Sequence, residues 1–208
     1  MKIIPSFEYE QQYWQQGIRS IAGVDEVGMG ALAGPVVAAA AVFAPEALPP
    51  DIIRDSKTLS ALQREKASSW IKEHAVAFAV AEASVEEIFT LNIRRASHLA
   101  MRRALDSIRV QVELALIDGN PAHVHPTIPS IAIIKGDAVS FSIAAASILA
   151  KLHRDAVMVQ LGEAYPAYGF AGHKGYGSSL HLSALQENGP CPAHRAAYAP
   201  VAELTKNA

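Results

Sequence analysis

Apolar residues occur in short blocks along the chain, with two periodicities separated by turn-forming clusters. Ile21–Val27 is apolar up to an acidic end and predicts a first strand. Pro35–Phe43 predicts its hairpin partner, and its Ala/Val composition suits a strand buried on both faces. Ala75–Ala83, Glu113–Ile117 and Ile131–Ile134 are three further short apolar runs, read as strands. Helical spacing is expected over 6–17, over 61–73 behind Ser60 as N-cap, and over Asn92–Val110. Ser140–Leu161 predicts a long Ala-rich helix, and 179–187 a shorter one followed by a tail. Residues 45–59 and Pro121–Pro129 read as loops. The expectation is a mixed α/β core of about five strands, spanning 1–161, with a small helical appendage over 162–208.

Half of the 208 residues are apolar, enough for a sizeable core. Gly28 to Pro45 carries no charge over 18 residues and so raises the question of a membrane span. Gly34-Pro35 interrupts it, and no signal-peptide core precedes it, so a cytoplasmic chain is expected. The single cysteine, Cys191, lies between two prolines, excludes an intrachain disulfide and suggests no nucleophile. Lys and Arg total 18 against 20 Asp and Glu, which does not by itself announce a nucleic-acid binder. The segment 151–208 nevertheless holds Lys151, Arg154, Lys174, Arg195 and Lys206 against four acids, so a local basic patch is expected there.

The chemistry is carried by four acids, each where an apolar segment meets a turn. Asp25 and Glu26 close the first strand, Asp118 lies in Ile117-Asp118-Gly119, and Asp137 in Lys135-Gly136-Asp137. Half-buried carboxylates repel one another unless a cation lies between them. A hard divalent ion that prefers oxygen ligands, Mg²⁺ or Mn²⁺, answers that need. Two such ions on four acids are a common way to cut a phosphodiester, so a metal-dependent nuclease is expected. Taken singly, Asp118 reads as an Asp-Gly turn and Asp137 as an N-cap of the long helix.

Other motifs weigh less. Gly28-Met29-Gly30-Ala31-Leu32-Ala33 matches a dinucleotide-binding pattern, but Gly34-Pro35 leads into a strand rather than a helix, which disfavours an oxidoreductase. His123 and His125 lie in a Pro-rich loop and read as solvated rather than as a zinc site. His173, His181 and His194 read as surface polar residues of the tail. Tyr176, between Gly175 and Gly177, is placed to stack on a sugar or base.

In combination these segments resemble ribonuclease HII, the bacterial-type type 2 ribonucleases H. The matching stretches are Ala22 to Gly30, Leu32 to Ala38, Asp55-Ser56-Lys57, Ile117 to Gly119, Lys135 to Asp137, Ser142 to Ile148 with Ala150-Lys151 and Arg154-Asp155, and His173 to Gly177. The resemblance implies a ribonuclease H-like mixed five-stranded sheet flanked by helices, with a C-terminal helical segment. It implies an endoribonuclease that cuts the RNA strand of RNA–DNA hybrids and the 5′ side of ribonucleotides embedded in duplex DNA. Asp25, Glu26, Asp118 and Asp137 would be the catalytic acids and the ligands of two Mg²⁺ or Mn²⁺ ions. Gly28, Met29 and Gly30 would recognise the RNA–DNA junction, and Tyr176 would stack on a sugar. Lys57, Lys135 and Lys174 are candidates for phosphate contacts. The family usually carries Arg between the two glycines, where this chain has Met29. Asp155 reads as half of a structural ion pair beside Arg154. No membrane and no obligate protein partner are expected, and a monomer is expected; the tail lacks the Gln-plus-aromatic pattern that some relatives use to bind a sliding clamp. A catalytically impaired hybrid-binding module is the alternative of another class.

Overall fold

The computed structural model describes residues 4–54, 56, 58–120 and 123–206. Asp55 and the candidate phosphate contact Lys57 lie outside the described residues.

Five strands form one mixed sheet: β1 (Ile21–Val27), β2 (Val36–Val42), β3 (Ala77–Ala83), β4 (Leu114–Asp118) and β5 (Ser130–Ile133). Their order is β3-β2-β1-β4-β5. The first three form an antiparallel meander, while β4 and β5 add in parallel. β2 is buried along its whole length, as its Ala/Val composition predicts. Val36, Ala38, Ala40 and Val42 face one hydrophobic cluster, and Val37, Ala39 and Ala41 the other.

Two helices cover the two faces. α4 (Ile93–Ser107) lays Ala96, Ala100 and Ala104 on one. α6 (Phe141–Ala164) lays Ala144, Ala145 and Ile148 on the other. Small side chains on both layers permit close approach. The tightest point is Gly23 of β1, where a Cβ would lie 2.1 Å from the Ser142 carbonyl carbon. Any side chain there would push α6 off the strand that ends in Asp25.

The start of α6 is fixed by a buried acid from α1 (Glu8–Trp14). Glu10 Oε1 accepts from Ser140 Oγ at 2.7 Å and from the Ser142 amide at 3.0 Å, and also from Ser142 Oγ. A carboxylate at a helix N-terminus meets unpaired amides and the positive end of the helix dipole. Ser140 is the N-cap, accepting from the Ile143 amide at 3.3 Å. Asp137 therefore does not cap α6; it lies in the short α5 (Gly136–Val139) before it.

α2 (Ala61–His74) begins with the anticipated Ser60 cap, completed by Gln63 as a capping box. α3 (Val85–Leu91) was not anticipated, although Ser84 and Glu87 form the same kind of box. It is only seven residues long and stops at Asn92, whose φ of 66° then opens α4. α7 (Phe170–His173), α8 (Ser179–Asn188) and α9 (Ala199–Lys206) follow α6. α9 falls where a tail was expected; Val201 packs against Leu32 and Leu185, so tertiary contact stabilises it. Among the described residues no helix is long and apolar enough to cross a membrane.

Candidate active site

Strand register brings the acids together. β1 and β4 are parallel, with Val24 opposite Ile117, so the next residues, Asp25 and Asp118, end adjacent strands side by side. Asp25 pairs across the hairpin with Ala39 and faces α6. Glu26 pairs with Ala38 and faces α4, because neighbouring residues of a strand point to opposite faces. Asp137 arrives from α5, after Lys135 turns the chain in a left-handed conformation at φ 57°. The Gly136 amide donates to Asp118 Oδ1 at 2.6 Å, which ties that loop to the end of β4.

Asp25 and Asp137 are buried, whereas Glu26 and Asp118 are half-buried. Burial holds the Asp25 carboxyl well above the usual carboxylate range. The charges of Glu26, Asp118 and Asp137 push the same way, and a hydrogen bond with Ser147 opposes them. Ser147 Oγ in turn lies 3.0 Å from Ser56 Oγ. Among the described residues no three His, Cys, Asp or Glu side chains converge closely enough to hold a metal ion as they stand. The donor set itself is all oxygen, and burial together with the neighbouring carboxylates opposes ionisation of Asp25, which is the cost a hard divalent cation relieves.

Two clefts flank these acids. One, of about 430 Å³, is lined by Asp25, Glu26, Asp118, Ser147, Lys151 and Tyr176. The other, of about 460 Å³, lies on the α4 side between Glu26, Met29 and Asp118 and the side chains of Arg94, Ser97 and His98.

The glycine turn stands between them. Gly28 has φ 95°, and a Cβ there would meet Arg154 Nε at 2.1 Å. Both facts require glycine. Met29 and Gly30 are exposed. The segment that follows enters β2 and not a helix, so the dinucleotide pattern lacks its structural context. Tyr176 is 38% exposed, and its ring lies 5.4 Å from the Arg154 guanidinium carbon.

The expected basic patch over 151–208 is corrected by burial. Arg154 and Arg195 are fully buried and donate to backbone carbonyls. Lys151 is paired with Asp155 at 2.7 Å, so Asp155 is in an ion pair, but with Lys151 and not with its neighbour Arg154. Lys174 Nζ bends back onto the Ala171 carbonyl, and Lys135 is exposed.

The histidines are also corrected. His181 and His194 are buried and joined Nε2 to Nε2 at 3.1 Å, with His173 stacked on His181 at 4.3 Å between centroids. They form the interior of the appendage, because Gly, Pro and short helices there leave few aliphatic side chains to fill it. Cys191 Sγ lies 3.2 Å from His194 Nδ1, but burial pushes the thiol up and the imidazole down to about 4. That combination disfavours a thiolate. His125 is a turn cap and not solvated: its Nδ1 accepts the Ile128 amide and its Nε2 meets Asp106 at 2.9 Å.

A family model described as Ribonuclease HII matches residues 22–201. Ribonuclease HII 1 of Methylibium petroleiphilum is 54% identical over 180 residues, 86% of this chain and 90% of that protein. The ribonuclease H2 structure from Pyrococcus horikoshii is similar at a TM-score of 0.77 and 26% identity, covering 90% of this chain and 98% of that one. Bst ribonuclease HIII in complex with Mn²⁺ has the same fold at a TM-score of 0.71 and 21% identity, covering 93% of this chain and 71% of that one. With acids at the ends of β1 and β4 and a matching sequence around them, the chain belongs to the ribonuclease HII family of endoribonucleases.

Proposed function

We propose that this endoribonuclease cuts the RNA strand of RNA–DNA hybrids, and the 5′ side of ribonucleotides embedded in duplex DNA. The products would carry 5′-phosphate and 3′-hydroxyl ends. The observation that carries the reading is Asp25, buried among three further carboxylates beside an exposed glycine turn.

Asp25, Glu26, Asp118 and Asp137 would hold two Mg²⁺ or Mn²⁺ ions. Such ions, when bound, supply the electrophile and the charge compensation that carboxylates alone lack. Mn²⁺ in the ribonuclease HIII neighbour supports that choice. The chain's own groups bind and orient the substrate. Backbone N–H groups of Gly28-Met29-Gly30 read the 2′-hydroxyl, which is the mark that separates RNA from DNA. Tyr176 stacks on the adjoining deoxyribose. Lys57, Lys135 and Lys174 contact phosphates, with Lys135 the more exposed of the two described. Residues 1–161 form the catalytic core, and 162–208 the appendage that carries Tyr176.

The reading of a decayed hybrid-binding module has no support in the site, which retains all four acids. The test is an RNA–DNA hybrid, and a DNA duplex with one ribonucleotide, incubated with EDTA, Mg²⁺ or Mn²⁺, with the cut mapped. Cleavage in EDTA overturns the metal requirement. Failure to cut 5′ of the single ribonucleotide overturns the junction activity.

A further inference from the structure

The net charge of −2 and the buried acids both oppose a polyanion at the site. Cations near the clefts are mostly committed elsewhere. Arg154 and Arg195 are buried on carbonyls, and Lys151 is paired with Asp155. α4 is different. Arg94, Arg95 and Arg102 are exposed, and none has an ion-pair partner among the described residues. Arg103, one residue on, is paired with Glu87 at 2.6 Å and belongs to the fold. The one acid of α4, Asp106, lies at its far end against His125.

Arg94, His98 and Arg102 recur every four residues and so lie along one stripe of the helix. The stripe rises about 12 Å, at about 1.5 Å per residue. Its first two members line the same cleft as Glu26 and Asp118. Ser97 and Asn120 add neutral hydrogen-bonding groups on that cleft wall.

We propose that the exposed face of α4 is a phosphate track for the nucleic-acid duplex, starting at Arg94 beside the acids and continuing to Arg102. Charge complementarity and continuity with the acid cleft identify the occupant as a sugar-phosphate backbone. About 12 Å of track is long enough for its two arginines to meet separate phosphates of one strand. Arg94 thereby supplies a cation on the Met29 side of the cleft, where the turn has none. The inference rests on the nuclease reading given above.

The test compares binding with cutting. An RNA–DNA hybrid of 20 base pairs is titrated in EDTA across a salt series, and its cleavage is followed in Mg²⁺. The proteins are the unmodified chain, Arg94→Gln with Arg102→Gln, each of the two single variants, and Arg19→Gln as a single-charge control matched to the single variants. Arg19 lies before β1, at the end of the strand away from Asp25, and is exposed beside Glu46. The double variant is expected to weaken binding roughly tenfold near 0.1 M salt and to flatten the salt slope by about 1.8 counterions, at about 0.9 per phosphate contact. Its KM should rise by more than its kcat falls, at an unchanged melting temperature. Arg19→Gln should behave as the unmodified chain. A double variant that binds and cuts like Arg19→Gln overturns the track and leaves the nuclease reading intact. An unmodified chain that neither binds nor cuts the hybrid overturns both.

Discussion

Arg154 and Arg195 donate to the same acceptor, the Pro35 carbonyl oxygen, from Nε at 3.0 Å and Nη2 at 3.1 Å. They come from α6 and from the segment between α8 and α9, and meet beneath the glycine turn. Arg154 also holds the carbonyls of Ala33 and Lys174, and Arg195 those of Gly34 and Met29. One buried fork thus fastens the turn to the loop that carries Tyr176. Burial lowers both guanidinium pKa values, yet arginine remains charged. Two positive charges therefore lie under a site whose own side chains are acidic.

Arg154→Gln should lower stability on the order of 3 kcal/mol or more, since buried carbonyls would lose their donors. Arg154→Lys should not rescue it, because an ammonium cannot span the fork. Denaturant unfolding checks both. A Lys variant as stable as the unmodified chain would show that charge alone matters at this position.

Asp25→Asn should remove cleavage while raising the melting temperature of metal-free protein at pH 7. The Asp25 pKa is raised in the fold, so the ionised carboxylate destabilises the native state above that pKa. The gain should shrink as pH falls and the native carboxyl protonates. Turnover should fall on the order of 10²-fold or more. A less stable Asn variant at neutral pH would contradict the electrostatic account, and near-normal turnover would place the chemistry elsewhere.

Much of this was legible from residue patterns, for local reasons. The five strands announce themselves through apolar runs, and β2 through Ala and Val buried on both faces. The four acids stand at strand and turn junctions, which are readable without coordinates. Glu10 was not legible: on an amphipathic helix it looks solvated, and only the fold carries it to the start of α6. Arg154 and Arg195 looked like surface charge for the same reason, since their acceptors lie more than 100 residues away. Met29 is readable as a departure from the family, but its carbonyl role, accepting from Arg195 and from Tyr198 at 2.7 Å, is not.

Acid should loosen the appendage before the core. His181 Nδ1 donates to the Tyr176 carbonyl at 3.0 Å, and its Nε2 accepts from His194. His194 Nδ1 accepts the Cys191 amide at 3.0 Å, so both rings are held neutral. Burial lowers both imidazoles, His194 to about 4. An unfolded imidazole titrates near 6.5, so stability is complete above that pH and is lost as pH falls toward 4. The loss should be on the order of 2–3 kcal/mol, at about 1.4 kcal/mol per pKa unit. His194→Asn should be less stable at pH 7 but flatter between pH 6.5 and 4. Parallel melting-temperature slopes for the two proteins would remove the histidines from the account.

Tyr176 offers the sharpest separation of recognition from folding. Its ring is partly exposed over Arg154 at the edge of the acid cleft, while its backbone is held by His173 and His181. The position is therefore set by main-chain bonds that a side-chain change leaves in place. Stacking on a base is worth ~1–3 kcal/mol, and on a sugar the lower end applies. Tyr176→Ala should weaken cutting at a single embedded ribonucleotide more than cutting of a long hybrid, because only the former always presents a deoxyribose beside the scissile step. Tyr176→Phe should be mild, since the ring does the stacking. Losing the cation–π contact with Arg154 would cost roughly 0.5–1 kcal/mol of stability at an exposed site, and equally for both substrates. Rates on both substrates and a melting curve, from one preparation, separate the two effects. Equal losses on both, with a lowered melting temperature, would assign Tyr176 to packing alone.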